Sequence, residues 1–193
     1  MTIRLATATD LPRVADLHVT RISEGFLSSL GTSFLRRLYR RVLRTPEAFV
    51  LVDERDGEVV GFVAGVANLS VLYRTFLVRD GVIAAISAAP RVVRAIPRIV
   101  ETLKYPNATA ELPAAEILAV AVAPEQSGQG IGTALVRAAT AEFERHAIAA
   151  AKVVTTADNG PAIAMYEAAG YRAAVGLEVH PGRESKVLVW TAS

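Results

Sequence analysis

The spacing of apolar residues changes several times along the chain, and each change marks an element. Ile3, Leu5 and Ala6 open a short apolar segment. Thr9-Asp10-Leu11-Pro12 then has the form of a helix start, with a side-chain oxygen as cap and proline in the first turn, and Val14, Leu17 and His18 recur on one helical face. Between residues 33 and 44, Phe34, Leu35, Leu38, Tyr39, Val42 and Leu43 form an apolar stripe opposite Arg36, Arg37, Arg40, Arg41 and Arg44. This predicts an amphipathic helix that Pro46 stops. Two apolar runs, 48–53 and 58–66, flank Arg55-Asp56-Gly57, and the Asp-Gly pair predicts a hairpin turn.

Residues 67–115 interrupt this regularity. Pro90, Pro97, Pro106 and Pro113 break the pattern while 71–89 and 92–103 have helical spacing, so the segment is expected to be a helical insertion. From 116 to 122 the chain is almost continuously aliphatic, as in a strand buried on both faces. A glycine-rich turn over 126–132 leads to an expected helix over 131–147, a strand over 152–156 and a helix over 161–169 that Gly170 ends. The runs 176–180 and 186–191 predict two strands around a Pro181-Gly182 turn. With no internal repeat and no Ser/Gly-rich linker, residues 1–193 are read as one domain.

Composition narrows the chemistry. Without cysteine there is no Cys nucleophile, thiolate zinc site or iron–sulfur cluster, and three scattered histidines, His18, His146 and His180, argue against a metal site. The 21 Lys and Arg nearly balance 19 Asp and Glu, which gives no case for a polyanion partner. The arginine face of the 33–44 helix reads as solvated, with contact to nucleic acid or a membrane surface the weaker reading. Arg4 and Asp10 at the N-terminus do not fit a secretory signal, so the cytoplasm is the expected compartment. No membrane span is expected: the longest charge-free stretch, 59–73, has 15 residues, short of the roughly 20 that a spanning helix needs.

The densest chemical signal lies where the aliphatic strand ends. Gly128, Gly130 and Gly132 occupy the turn, and a helix starts where they stop. A helix N-terminus offers unpaired N–H groups and a positive dipole end, and glycine lets phosphate oxygens approach the backbone, so the predicted ligand is a phosphate, best a pyrophosphate. The alternative, glycines that only permit a tight turn, carries about equal weight on these residues alone. No Lys-Ser/Thr follows the glycines as a P-loop requires, and the Gly-x-Gly-x-Gly spacing is not that of a dinucleotide-binding turn.

Read together, two segments resemble the GCN5-related N-acetyltransferase (GNAT) family. The first is Val122-Ala123-Pro124 followed by Ser127-Gly128-Gln129-Gly130-Ile131-Gly132. The second is Asn159-Gly160-Pro161-Ala162-Ile163-Ala164-Met165-Tyr166-Glu167-Ala168-Ala169-Gly170-Tyr171, which matches the family's Asn-x-x-Ala-x-x-x-Tyr-x-x-x-Gly-Phe/Tyr at every fixed position. The resemblance extends to residues 3–12 and leaves 67–115 as an atypical insertion. It implies an α/β fold of the α+β type, with a mixed, mostly antiparallel sheet of about six or seven strands flanked by helices. The sheet would be splayed between the strands at 116–122 and 152–156 to admit acetyl-coenzyme A as cosubstrate.

The activity implied is acetyl transfer to a primary amine by direct attack in a ternary complex. Backbone groups of Val120, Ala121 and Val122 would hold the pantetheine, Ser127, Gly128, Gln129, Gly130, Ile131, Gly132 and Thr133 the pyrophosphate, and Asn159 would touch the pantetheine, cap a helix, or both. Tyr166 would protonate the leaving thiolate, its alternative being core packing. Glu116 corresponds to the glutamate base of the histone-acetyltransferase branch, with a solvated residue at a strand edge as the equal alternative. Val154 replaces the glutamate of the ribosomal-protein branch, and Ser127 stands where Gln or Arg is usual. His180 is a weaker candidate base. The acceptor, a small-molecule or peptide amine, has no signature, and a homodimer is left open. Rival readings are a catalytically silent acetyl-coenzyme A-binding regulatory module and an interaction protein using the arginine face.

Overall fold

The computed structural model describes residues 2–22, 26–72, 75, 112–174 and 185–192. Its elements in order are β1 (Thr2–Leu5), α1 (Leu11–Arg21), α2 (Phe26–Ser29), α3 (Thr32–Val42), β2 (Ala48–Arg55), β3 (Glu58–Val66), β4 (Ala115–Val122), α4 (Ile131–Arg145), β5 (Ala150–Thr156), α5 (Gly160–Ala168), β6 (Arg172–Ala173) and β7 (Ser185–Thr191). A single 3₁₀ turn, Pro124–Gln126, separates β4 from α4. The strands form one seven-stranded sheet in the order β1-β2-β3-β4-β5-β7-β6. Every neighbouring pair is antiparallel except β4 and β5. The mixed, mostly antiparallel sheet implied by the family resemblance is therefore present.

Alternation along the strands supplies both faces of the sheet with apolar side chains. In β2, Val50 and Val52 pack with Leu11, Val14, Leu17, Leu35 and Val42 of α1 and α3. Phe49 and Leu51 point the other way, toward Ile131, Leu135 and Phe143 of α4 and Ile163 of α5. β2 from Ala48 to Val52 and β3 from Val59 to Val66 carry no polar side chain because both of their faces are covered. The hairpin between them closes on Asp56 and Gly57, both at positive φ (50° and 81°), as the Asp-Gly pair predicts.

The start of α1 differs from expectation in one respect. Pro12 lies in the first turn, but the Asp10 side chain makes no capping bond. Its carboxylate accepts from the Thr7 N–H (2.7 Å) and the Thr7 hydroxyl (2.9 Å) and pairs with Arg4 (2.8 Å), which also binds Glu54 at 2.5 Å. A full positive charge with matching donors outcompetes the partial charge of a helix end. The same guanidinium holds the Asp10 carboxyl down to about 2.

Strand β6 has two residues and no pattern announced it. Most of the expected 71–89 helix, the 92–103 helix, the 176–180 strand, the Pro181-Gly182 turn and His180 lie outside the described residues. Residues 69–72 are helical, with the Asn68 side chain accepting from the N–H of Ser70 (3.0 Å) and Val71 (3.3 Å). Among the described residues, no helix is long and apolar enough to cross a membrane.

Candidate functional site

β4 and β5 run side by side only at Ala115↔Ala151 and Glu116↔Lys152, and then part. Beyond that point β4 stays paired to β3, through Val120↔Val63, Ala121↔Phe62 and Val122↔Gly61. The register also fixes which backbone groups are left over. Ala123 donates its N–H to Val60 O (2.8 Å), so by alternation Ala121 directs its N–H and C=O to β3. Val120 and Val122 direct theirs into the gap where β5 has left. Of the three pantetheine contacts implied by the resemblance, two are open to a ligand and Ala121 is committed to the sheet.

A bulge between Ile117 and Ala119 reverses the alternation of β4. Ile117 belongs to the core on the α4/α5 face, whereas Ala119 and Ala121 belong to the core on the α1/α3 face. Period two then places Glu116, next to Ile117, on the α1/α3 face. Lys152, between Ala151 and Val153 of the α4/α5 core, faces the same way.

The two side chains form an ion pair of 3.4 Å, and the lysine ammonium also donates to Pro113 O at 2.5 Å. Glu116 is 15% exposed, so the solvated-edge reading does not hold. Burial pushes its carboxyl pKa up, and the Lys152 charge opposes that shift. The lysine was not anticipated, because a parallel register between positions 36 residues apart leaves no local mark in the sequence.

At the far end of β4 the backbone builds an exposed turn. Ser127 is extended, Gly128 and Gly130 lie at φ 78° and 75°, and α4 begins at Ile131 with no side-chain cap and no acidic residue in its first turn. The first in-helix bond is Ala134 N–H to Gly130 O (3.0 Å), so the N–H groups of Ile131, Gly132 and Thr133 precede the ladder and are available to an anion. A Cβ on Gly128 or Gly130 would meet nothing within 4 Å, so the space above the turn is open. Gly132 has a different reason to be glycine. Its Cβ would lie 2.5 Å from Met165 Sδ of α5, so the missing side chain serves helix packing.

Tyr166 sits on α5 in the α4/α5 core, 6% exposed, with its ring 5.9 Å from that of Tyr171. Burial raises the pKa of its hydroxyl, which stays protonated at neutral pH. Among the described residues, the buried hydroxyl that lacks a hydrogen-bond partner is that of the neighbouring Tyr171. Asn159 caps α5, its side-chain oxygen accepting from Ala162 N–H at 3.2 Å. Tyr166 and Glu116 thus lie on opposite faces of the sheet that opens between β4 and β5. Among the described residues no group of His, Asp and Glu could hold a metal ion.

The family model described as "Acetyltransferase (GNAT) family" matches residues 16–171. The chain belongs to the GNAT acetyltransferase family. Among solved structures, this GNAT chain is similar to a ribosomal-protein-alanine N-acetyltransferase from Brucella melitensis (17% identity, all of both chains, TM-score 0.66). It is also similar to the PaiA N-acetyltransferase from Thermoplasma acidophilum in complex with coenzyme A (12% identity, 99% of this chain and 98% of that one, TM-score 0.64). A third is the aminoglycoside acetyltransferase AAC(6')-Ib in complex with coenzyme A and kanamycin (19% identity, 98% of this chain and 94% of that one, TM-score 0.63). At these identities the likeness is one of fold. No curated protein matches the chain.

Proposed function

We propose that this GNAT chain transfers an acetyl group from acetyl-coenzyme A to a primary amine by direct attack in a ternary complex. The observation that carries the reading is the opening of the sheet beyond Glu116 and Lys152, which leaves the outward backbone groups of Val120 and Val122 without strand partners. Buried backbone polar groups require partners, and a pantetheine arm with its two amides supplies them. The pyrophosphate would then reach the uncapped start of α4 at Gly128–Thr133, and the Asn159 amide nitrogen, left over by its capping bond, would donate to the arm.

The chemistry follows from the two faces. A thioester carbonyl is already electrophilic, so the reaction needs a neutral amine and a proton for the departing thiolate. Glu116, its pKa raised by burial, takes the proton of an incoming ammonium, directly or through water, on the α1/α3 face. The amine attacks the carbonyl through the opening, and the tetrahedral intermediate gives up the second proton of its nitrogen to water as it collapses with cleavage of the carbon–sulfur bond. Tyr166 donates its proton to the thiolate from the α4/α5 face, where the apolar surroundings that weaken it as an acid also strengthen the thiolate as a base. No covalent enzyme intermediate is required, in keeping with the absence of cysteine.

The test is free-thiol release with acetyl-coenzyme A across a panel of amino acids, polyamines, aminoglycosides and peptides. Turnover with at least one amine, lost in Tyr166→Phe, is the expected result. Coenzyme binding without turnover on any amine would favour a regulatory coenzyme-binding module.

A further inference from the structure

The anion site proposed above lacks a cation of its own. Between Ala123 and Thr133 the only ionisable side chain is Glu125, and Ser127 turns its hydroxyl back toward Ala123 O at 3.5 Å. A cation reaches the turn from elsewhere. Arg55, the last residue of β2, directs Nη1 to Gln129 Oε1 at 2.9 Å and toward Gln126 Oε1 at 3.5 Å, and its side chain is 23% exposed. Behind it lies Asp53, whose side chain is fully buried and whose two carboxylate oxygens accept no hydrogen bond among the described residues. Arg55 Nη2 stands 3.6 Å from Asp53 Oδ2.

A buried carboxylate without hydrogen bonds is costly unless a charge compensates it, and it holds that charge in place. The guanidinium fork is thereby aimed: one nitrogen toward Asp53, the other toward two glutamines that bracket Gly128. We propose that Arg55 is a positioning residue for the coenzyme-phosphate turn. Anchored by Asp53, it holds Gln126 and Gln129 so that the exposed 127–130 backbone is preset for a pyrophosphate. The proposal rests on the coenzyme reading above. Arg55 lies at the end of β2, separated from the opening by β3 and β4, so it acts on the coenzyme through the turn.

The test measures acetyl-coenzyme A dissociation constants by calorimetry, together with KM and kcat, for Arg55→Ala, Arg55→Lys, Gln129→Ala and the Arg55→Ala/Gln129→Ala double variant. Losing a charge-assisted bond that preorganises the site should raise Kd and KM about tenfold in Arg55→Ala. The turnover number at saturating coenzyme should change less than twofold. Arg55→Lys should recover part of the affinity, since it keeps the charge without the fork, and the double variant should be no weaker than Arg55→Ala. The ratio of affinities for coenzyme A and 3′-dephospho-coenzyme A should be the same in Arg55→Ala as in the wild type. Unchanged affinity in Arg55→Ala would overturn the proposal, and so would collapse of that ratio, which would make Arg55 a direct ligand of the 3′-phosphate. If Arg55→Ala fails to fold, Arg55→Lys and Gln129→Ala decide: wild-type affinity in both overturns the proposal. Absence of acetyl-coenzyme A binding in the wild type would instead overturn the coenzyme reading itself.

Discussion

On one flank, β4 runs beside β3 from Glu116 to Val122; on the other it meets β5 at Ala115 and Glu116 alone. The closed flank is packed to contact. Gly65 of β3 lies beneath the edge-to-face pair of Phe49 and Phe143, whose rings are 5.0 Å apart, and a Cβ there would clash with both rings. The open flank ends in a half-buried ion pair, unpartnered backbone and an uncapped helix. The difference separates two tasks carried by one strand. Cohesion comes from the side where the strand is paired along its length apart from the bulge at Leu118, and the side that parts from β5 leaves backbone groups unmet.

The largest effect is expected on the open flank. Tyr166→Phe keeps the buried ring and removes the proposed acid, and general acid catalysis contributes about 10²–10⁴-fold, so turnover should fall by that factor while coenzyme affinity stays near wild type. Turnover at the wild-type level when chemistry limits the rate would make Tyr166 a packing residue.

Glu116→Gln keeps shape and hydrogen bonding and should lose roughly 10²-fold at neutral pH, with recovery as pH approaches the ~10.4 of a lysine-like amine. An equal deficit at pH 7 and pH 10 would assign the loss to binding or structure. Coenzyme binding gives the next effect. Acetyl-coenzyme A at about 100 times its dissociation constant should stabilise the fold by roughly 2.7 kcal/mol, about 5–10 °C in melting temperature for a chain of this size. Gly130→Asp, which sets a Cβ and an anion at a left-handed position, should abolish the shift; a shift of wild-type size would place the phosphates elsewhere.

The closed flank should respond in stability and not in coenzyme affinity. Gly65→Ala forces the Phe49 and Phe143 rings apart and should cost about 1–3 kcal/mol in chemical denaturation, the usual penalty of overpacking. The smallest effect concerns His18, buried against Phe62 with its Nδ1 2.5 Å from Tyr39 Oη. Burial lowers its pKa to about 4. The unfolded chain binds a proton near 6.5 that the folded chain refuses, so stability is full above that pH and declines as pH falls from 6.5 toward 4. About 1 kcal/mol should be lost by pH 6 and about 2 by pH 5. A His18→Asn variant should flatten that part of the profile; an unchanged slope would assign it to other groups.

Much of the architecture was legible because its signals are local. Asp56-Gly57 marked the hairpin, the aliphatic run marked β4, and Gly128 and Gly130 marked a turn that their positive φ confirms. Asn159 was readable as the cap of α5 for the same reason. Asp10 misled, because the arginine that claims it sits on the preceding strand and the pairing is decided by how β1 meets β2.

The sequence by itself determined the family, the order of the longer described strands and helices and the residue types at the turn and on α5, since these follow from spacing within a few residues or within one motif. Tertiary structure alone decided which backbone groups of β4 face the opening, that Gly132 makes room for Met165, that Glu116 meets Lys152, and that Arg55 reaches Gln129 across 74 positions. Each of these depends on a strand register or a helix contact, and such distances are set only when separate hydrophobic faces have been buried against one another.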